Sequence, residues 1–137
     1  MIIELNDKMK IADLNHLFIQ QFPFLKLSFY NQPKNLQGES FSYHLLDSNL
    51  NLIKCTESKS LPGEIEIHFW HKTNDVENQF KKKFGLNVQI HRRNGDEWVQ
   101  TVGTDGLMLE EQNKIGKQSV EKEMHSSILT FEQEKKI

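Results

Sequence analysis

Apolar and polar residues alternate over Ile3–Leu5 and again over Leu25–Phe29, the period of half-buried strands. Between them Ile11, Leu14, Phe18 and Phe22 fall at offsets of 0, 3, 7 and 11, tracing one helical stripe with Leu17 beside it. Pro23 has no amide hydrogen and disfavours helical geometry at Phe22, so it ends the helix. The same succession returns later. Ile65, Ile67 and Phe69 predict a core-facing strand, Val76, Phe80 and Phe84 a helix stripe, and Leu86, Val88 and Ile90 another strand.

Setting Ile3–Phe22 against Ile65–Phe84, at a constant offset of 62, gives six identities in twenty positions. They are Ile3/Ile65, Glu4/Glu66, Lys10/Lys72, Asp13/Asp75, Phe18/Phe80 and Phe22/Phe84. A one-residue shift then brings Leu25, Leu27 and Phe29 over Leu86, Val88 and Ile90. Each copy reads as strand, helix, strand.

Between the copies, 31–63 is a long connection rich in Asn, Gln, Pro, Gly and Ser. Within it Phe41, Tyr43 and Leu45 alternate as a short extra strand would, and Asp47–Ile53 predicts a single helical turn plugging the core. Thr56–Ser60 is polar and Pro62-Gly63 is a turn. In the second copy Thr73 is the expected N-cap and Gly85 the expected helix stop. Asn94-Gly95 signals a hairpin whose returning strand, 97–102, is anchored by Trp98. A short helix is expected over Leu107–Asn113. Beyond it Val120, Met124, Ile128 and Phe131 keep helical spacing in a charged tail, expected to fray or to be helical only against something else.

These elements predict an α+β fold: duplicated β-α-β units interleaved in a ferredoxin-like sheet with both helices on one face. A C-terminal hairpin strand and a helical or disordered tail complete it. A different strand order built from the same units is the alternative. The expected organisation is one domain over 1–116, with halves 2–30 and 64–92, and a polar tail over 117–137.

Helices on one face leave the other open. Period two places Tyr30, Glu66, His68, Trp70, Gln89 and His91 there, among Ile2, Glu4, Asn6, Lys26 and Ser28, as a binding face. Aromatic residues on a polar face suit a protein interface. The competing expectation is that Tyr30 and Trp70 lie under the tail or the long connection.

Composition narrows the chemistry. The 137 residues carry a net charge of −2, so no global positive field draws the chain to nucleic acid. One cysteine, Cys55, excludes an intrachain disulfide and a multi-cysteine zinc site, and reads as a small buried hydrophobe. No window approaches a membrane span and no basic leader opens the chain, so a cytoplasmic, membrane-free setting is expected. His68 and His71 point to opposite faces of a strand. His68 with His91, and Glu4 or Glu66 as third ligand, is the easier metal geometry, yet six histidines produce such pairs by chance. No catalytic triad, phosphate loop or zinc motif occurs, so no catalytic residue, metal or cofactor is assigned. RNA recognition is disfavoured, because the first strand lacks aromatics and the third lacks the glycine-containing signature. The expected function is a non-enzymatic protein-interaction or regulatory module with another protein as partner, using the open face or the tail. An RNA-binding module and a metal-dependent small enzyme are the alternatives.

Phe84-Gly-Leu-Asn-Val-Gln-Ile, Asn94-Gly, Trp98, Thr101, Thr104-Asp105 and Leu109-Glu-Glu-Gln-Asn resemble a family of small uncharacterised bacterial proteins over 1–116. The resemblance implies a bacterial cytoplasmic setting and no particular chemistry.

Overall fold

A computed structural model describes the backbone of residues 1–56 and 60–135, with side chains through 129. The fold is α+β, with elements in the order β1 (Ile2–Leu5), α1 (Ile11–Gln21), β2 (Leu25–Tyr30), β3 (Gly63–Glu66), α2 (Thr73–Phe84), β4 (Asn87–Asn94), β5 (Glu97–Gln100) and α3 (Leu109–Lys135). One apolar cluster takes Ile3 and Leu5 from β1, Leu14 and Phe18 from α1, Val76 and Phe80 from α2, and alternate residues of β2 and β4. The strand and helix periods of the sequence therefore converge on one interior. Both helices carry an acidic residue in the first turn, Asp13 in α1 and Asp75 in α2. Asp13 Oδ2 accepts the Lys10 N–H at 2.9 Å, the reciprocal half of a capping box. Gly85 ends α2 in the left-handed region at φ 66, which costs glycine little.

The strands do not interleave into one ferredoxin-like sheet. β1 pairs antiparallel with β3 in a two-stranded sheet, and β2–β4–β5 form a separate three-stranded antiparallel sheet. In the interleaved order β2 and β4 would be the outer strands; here they are direct neighbours. The two pairings share one pattern of register. Ile3 lies opposite Ile65 at the middle of one pairing, and Ser28 lies opposite Gln89 at the middle of the other. Matching positions of the two halves thus meet across each pair.

The correspondence continues beyond the aligned segments. The first amides of α1, Ile11 and Ala12, donate to the carbonyls of Leu50 and Ser48. Those of α2, Thr73 and Asn74, donate to Leu107 and Asp105. Next, Leu52 N–H reaches Met9 O and Leu109 N–H reaches His71 O, both at 2.9 Å. Leu52 and Leu109 are both fully buried. Each half therefore sends its chain back to satisfy the orphan donors at its own helix start.

Several local expectations are corrected. Phe41–Leu45 makes a 3-10 turn at Ser42–His44 and a single bridge from Leu45 to Tyr30 instead of a strand. A second 3-10 turn at Leu52–Lys54 plugs the core with Leu52, as expected. Lys72, not Thr73, occupies the N-cap of α2. Phe69 is 57% exposed because β3 stops at Glu66 and Phe69 lies in the turn that His71 N–H closes on His68 O. β5 ends at Gln100, short of 102. The hairpin forms, but its two-residue turn is Gly95-Asp96, with positive φ at Gly95 alone, which fits a II′ turn. Glu57–Lys59, within the polar Thr56–Ser60 stretch, lie outside the described residues.

α3 replaces both the short helix and the frayed tail, running unbroken through 116/117 for 27 residues, about 40 Å. Gly116 lets it touch down. A Cβ there would stand 2.9 Å from Phe24 Cβ and 3.0 Å from Phe24 O. Gln112, fully buried, accepts from Arg92 Nη1 at 2.8 Å and donates to Thr104 O. Gly116→Val is expected to cost about 2 kcal/mol by overpacking, read as a lowered urea midpoint. An unchanged midpoint would mean that α3 is not seated on β2 and β4.

Candidate functional site

The expected binding face is divided by the structure. On the outer face of β2–β4–β5 stand Lys26, Ser28 and Tyr30, then Gln89, His91 and Arg93, then Trp98 and Gln100. Tyr30 and Gln89 are buried, at 5% and 1% exposure, so they present nothing to a ligand. The long connection straps this half. Ser40 Oγ donates to Gln89 Oε1 at 3.2 Å, and Gln100 bonds both backbone groups of Ser40. Burial pushes the Tyr30 hydroxyl up from its ordinary value.

Glu66, His68 and Trp70 belong to the other sheet and the turn after it. His68 Nε2 meets Glu66 Oε1 at 2.8 Å, and its ring stacks on Trp70 at 5.0 Å between centroids. The His68 hydrogen bond, and then its charge, hold the Glu66 carboxyl below its ordinary range. His68 follows the end of β3 while His91 sits on β4 of the other sheet, so the strands do not pair these two histidines. His71 instead accepts the His68 N–H on Nδ1 at 2.9 Å. Among the described residues no three His, Cys, Asp or Glu side chains are grouped to hold a metal ion. Cys55 is half-buried, with its thiol pushed up by burial.

The open half holds a cluster that the sequence did not single out. Lys26 Nζ reaches across β4 to 4.8 Å from the Trp98 ring centre, and Arg93 Cζ stands 5.3 Å from it. These are cation–π distances. Neither cation forms an ion pair among the described residues, so the two charges face each other uncompensated. Burial, then Arg93, lowers the Lys26 amine from its ordinary value. Arg93 Nε donates to Gly95 O at 3.0 Å, which fixes the guanidinium and leaves its end-on fork unbonded among the described residues.

His91, opposite Lys26 in the ladder, sits behind this pair with Nδ1 buried and without a hydrogen-bond partner. Burial first, and Lys26 second, lower it from 6.5 to about 4. A depressed base binds its proton more readily unfolded than folded. Its contribution is therefore complete above pH 6.5 and is lost as pH falls toward about 4. His91→Leu is expected to flatten this acid limb by on the order of 2 kcal/mol, read from urea melts across that window. An unchanged limb would mean that His91 protonates freely in the folded protein.

Glu77 is the other group missed from sequence. It is 2% exposed on α2, beside a cavity of about 210 Å³ also lined by Lys34, Ser40 and Lys81. Oε1 meets Lys34 Nζ at 2.7 Å, and Oε2 accepts the Ile90 N–H at 2.7 Å. Ile90 lies just past the last β4–β5 pair, His91 with Gln100, so the carboxylate replaces a missing strand partner. Asn15, its match at an offset of 62, likewise bonds both backbone groups of Leu27. With both oxygens engaged, Glu77 is a structural group.

Fold and site define a small α+β protein with a cationic-aromatic patch on the uncovered half of a three-stranded sheet. No family model, curated protein or solved structure matches the chain.

Proposed function

We propose that the chain is a non-enzymatic protein-interaction module that binds its partner on the open half of the β2–β4–β5 face. The observation that carries this reading is Trp98 flanked by Lys26 and Arg93, two cations without acidic partners among the described residues. Tryptophan and arginine dominate binding energy at protein interfaces. A fixed ring on a strand loses little side-chain freedom when a partner covers it. The exposed half of α3, with Met124 and Ile128 at 61% and 54% exposure, offers a second apolar surface beyond the sheet. Phe131 lies outside the described side chains.

The bacterial cytoplasmic setting implied by the resemblance is part of the same proposal. So is an internal duplication, supported by the matched helix-start bonds and by Asn15 and Glu77. The test is affinity capture with the wild-type chain and with Trp98→Ala, both checked for equal melting temperature. A captured protein lost with Trp98→Ala supports the module. Equal capture by both, or none by either, overturns it.

A further inference from the structure

β5 is the outer strand of its sheet, and Trp98 marks where its edge is free. A two-residue turn makes Asn94 and Glu97 the hydrogen-bonded pair beside it, so Arg93 and Trp98 form the next, non-bonded pair. The Trp98 N–H and C=O consequently point away from β4. No backbone hydrogen bond among the described residues reaches them. Cross-strand neighbours share a face, so a strand added along β5 would set the side chain opposite Trp98 beside the indole. Lys26 and Arg93 both lean toward that position, one from β2 and one from β4.

We propose that β5 and the Lys26–Arg93–Trp98 patch together form a strand-docking site for an extended peptide segment carrying an oxyanion side chain, either carboxylate or phosphate. This rests on the reading of the chain as a protein-interaction module and names the partner's chemistry. Backbone pairing to Trp98 supplies affinity and register. The free end of the Arg93 guanidinium and the Lys26 amine supply donors matched to an oxyanion. The opposite sheet presents Glu4 directly across from Glu64, so an acidic segment is repelled there and is steered to the Trp98 face.

The test titrates the full chain, labelled with nitrogen-15, with eight-residue peptides of alternating threonine and valine. Their central residue is phosphoserine, glutamate or serine. Expected are shifts of the Glu97–Gln100 amides and the Trp98 indole, with the acidic peptides binding at least about tenfold tighter than serine. Stronger binding of phosphoserine assigns a phosphoryl ligand, and equal binding of the two acids assigns a carboxylate. Lys26→Gln with Arg93→Gln should erase the preference while the melting temperature holds. N-methylation of the central residue should abolish binding, because it blocks strand addition. Equal affinity for the serine peptide, or binding indifferent to N-methylation, overturns the proposal. So does preferential binding of a single-stranded oligonucleotide to the same amides. Any of these alongside capture that still depends on Trp98 would sink strand docking alone and leave the interaction module standing.

Discussion

Replacing Glu77 by alanine is expected to cost about 3 kcal/mol of folding stability at neutral pH, measured by urea denaturation. Two losses add. The buried Ile90 N–H loses its acceptor, which costs about 1–3 kcal/mol where no strand partner is available. Lys34 loses its counter-ion, although its 29% side-chain exposure lets water recover part of that. Glu77→Gln should lose less, since its amide oxygen still accepts from Ile90. The pH dependence separates the two variants from wild type. Burial, acting against the attraction of Lys34, raises the Glu77 carboxyl above its ordinary 4.5. A raised acid is favoured folded in its protonated form. The proton-linked part of its contribution is complete below 4.5 and is lost as pH rises through the folded value, while the bonds to Ile90 and Lys34 remain. Glu77→Gln carries no proton to lose and should flatten that descent. A cost below 1 kcal/mol for Glu77→Ala would show that β4 does not depend on the carboxylate beyond the end of β5.

The second large effect lies in the core. Phe80→Ala is expected to cost about 4 kcal/mol, through lost transfer energy and the cavity left behind. Phe80 is fully buried and meets the Phe29 ring edge-on at 6.1 Å and 77°. That geometry adds about 1 kcal/mol beyond area, measurable as the coupling in a Phe29→Leu, Phe80→Leu double-mutant cycle. Phe18, its match in the first half, is equally buried and touches Phe22 at 5.1 Å. Phe18→Ala should therefore lie within about 1 kcal/mol of Phe80→Ala. A large asymmetry between them would mean that the two halves do not share one interior equally.

The periodicity of Leu14, Phe18, Val76 and Phe80 announced both helices, because an amphipathic stripe is a local property. Gly85 and the glycine of the hairpin were legible for the same reason: positive φ is a cost paid at one residue. The binding face was only partly legible. Alternation placed Tyr30, Gln89 and His91 on the outer side of the sheet, yet it could not show that Ser40 would cross over Gln89. Lys26, Arg93 and Trp98 had the same alternation and passed unnoticed as a group, since Lys26 meets Trp98 only across an intervening strand. Trp70 was placed beside Tyr30 although it belongs to the turn after β3, in the other sheet.

By itself, the order of residues determined the stripes of α1 and α2, where those two helices stop, and the alternation of β1, β2 and β4, but not the ends of β3, β5 and α3. Those features depend on neighbours a few positions apart. Tertiary structure alone decided that β2 would pair with β4, that Glu77 would stand in for a strand, and that two lysine and arginine side chains would close on one indole. β2 with β4 and Lys26 with Trp98 join segments far apart in the chain, and Glu77 with Ile90 joins a helix to a strand, so the balance among burial, backbone pairing and uncompensated charge exists only once they are brought together.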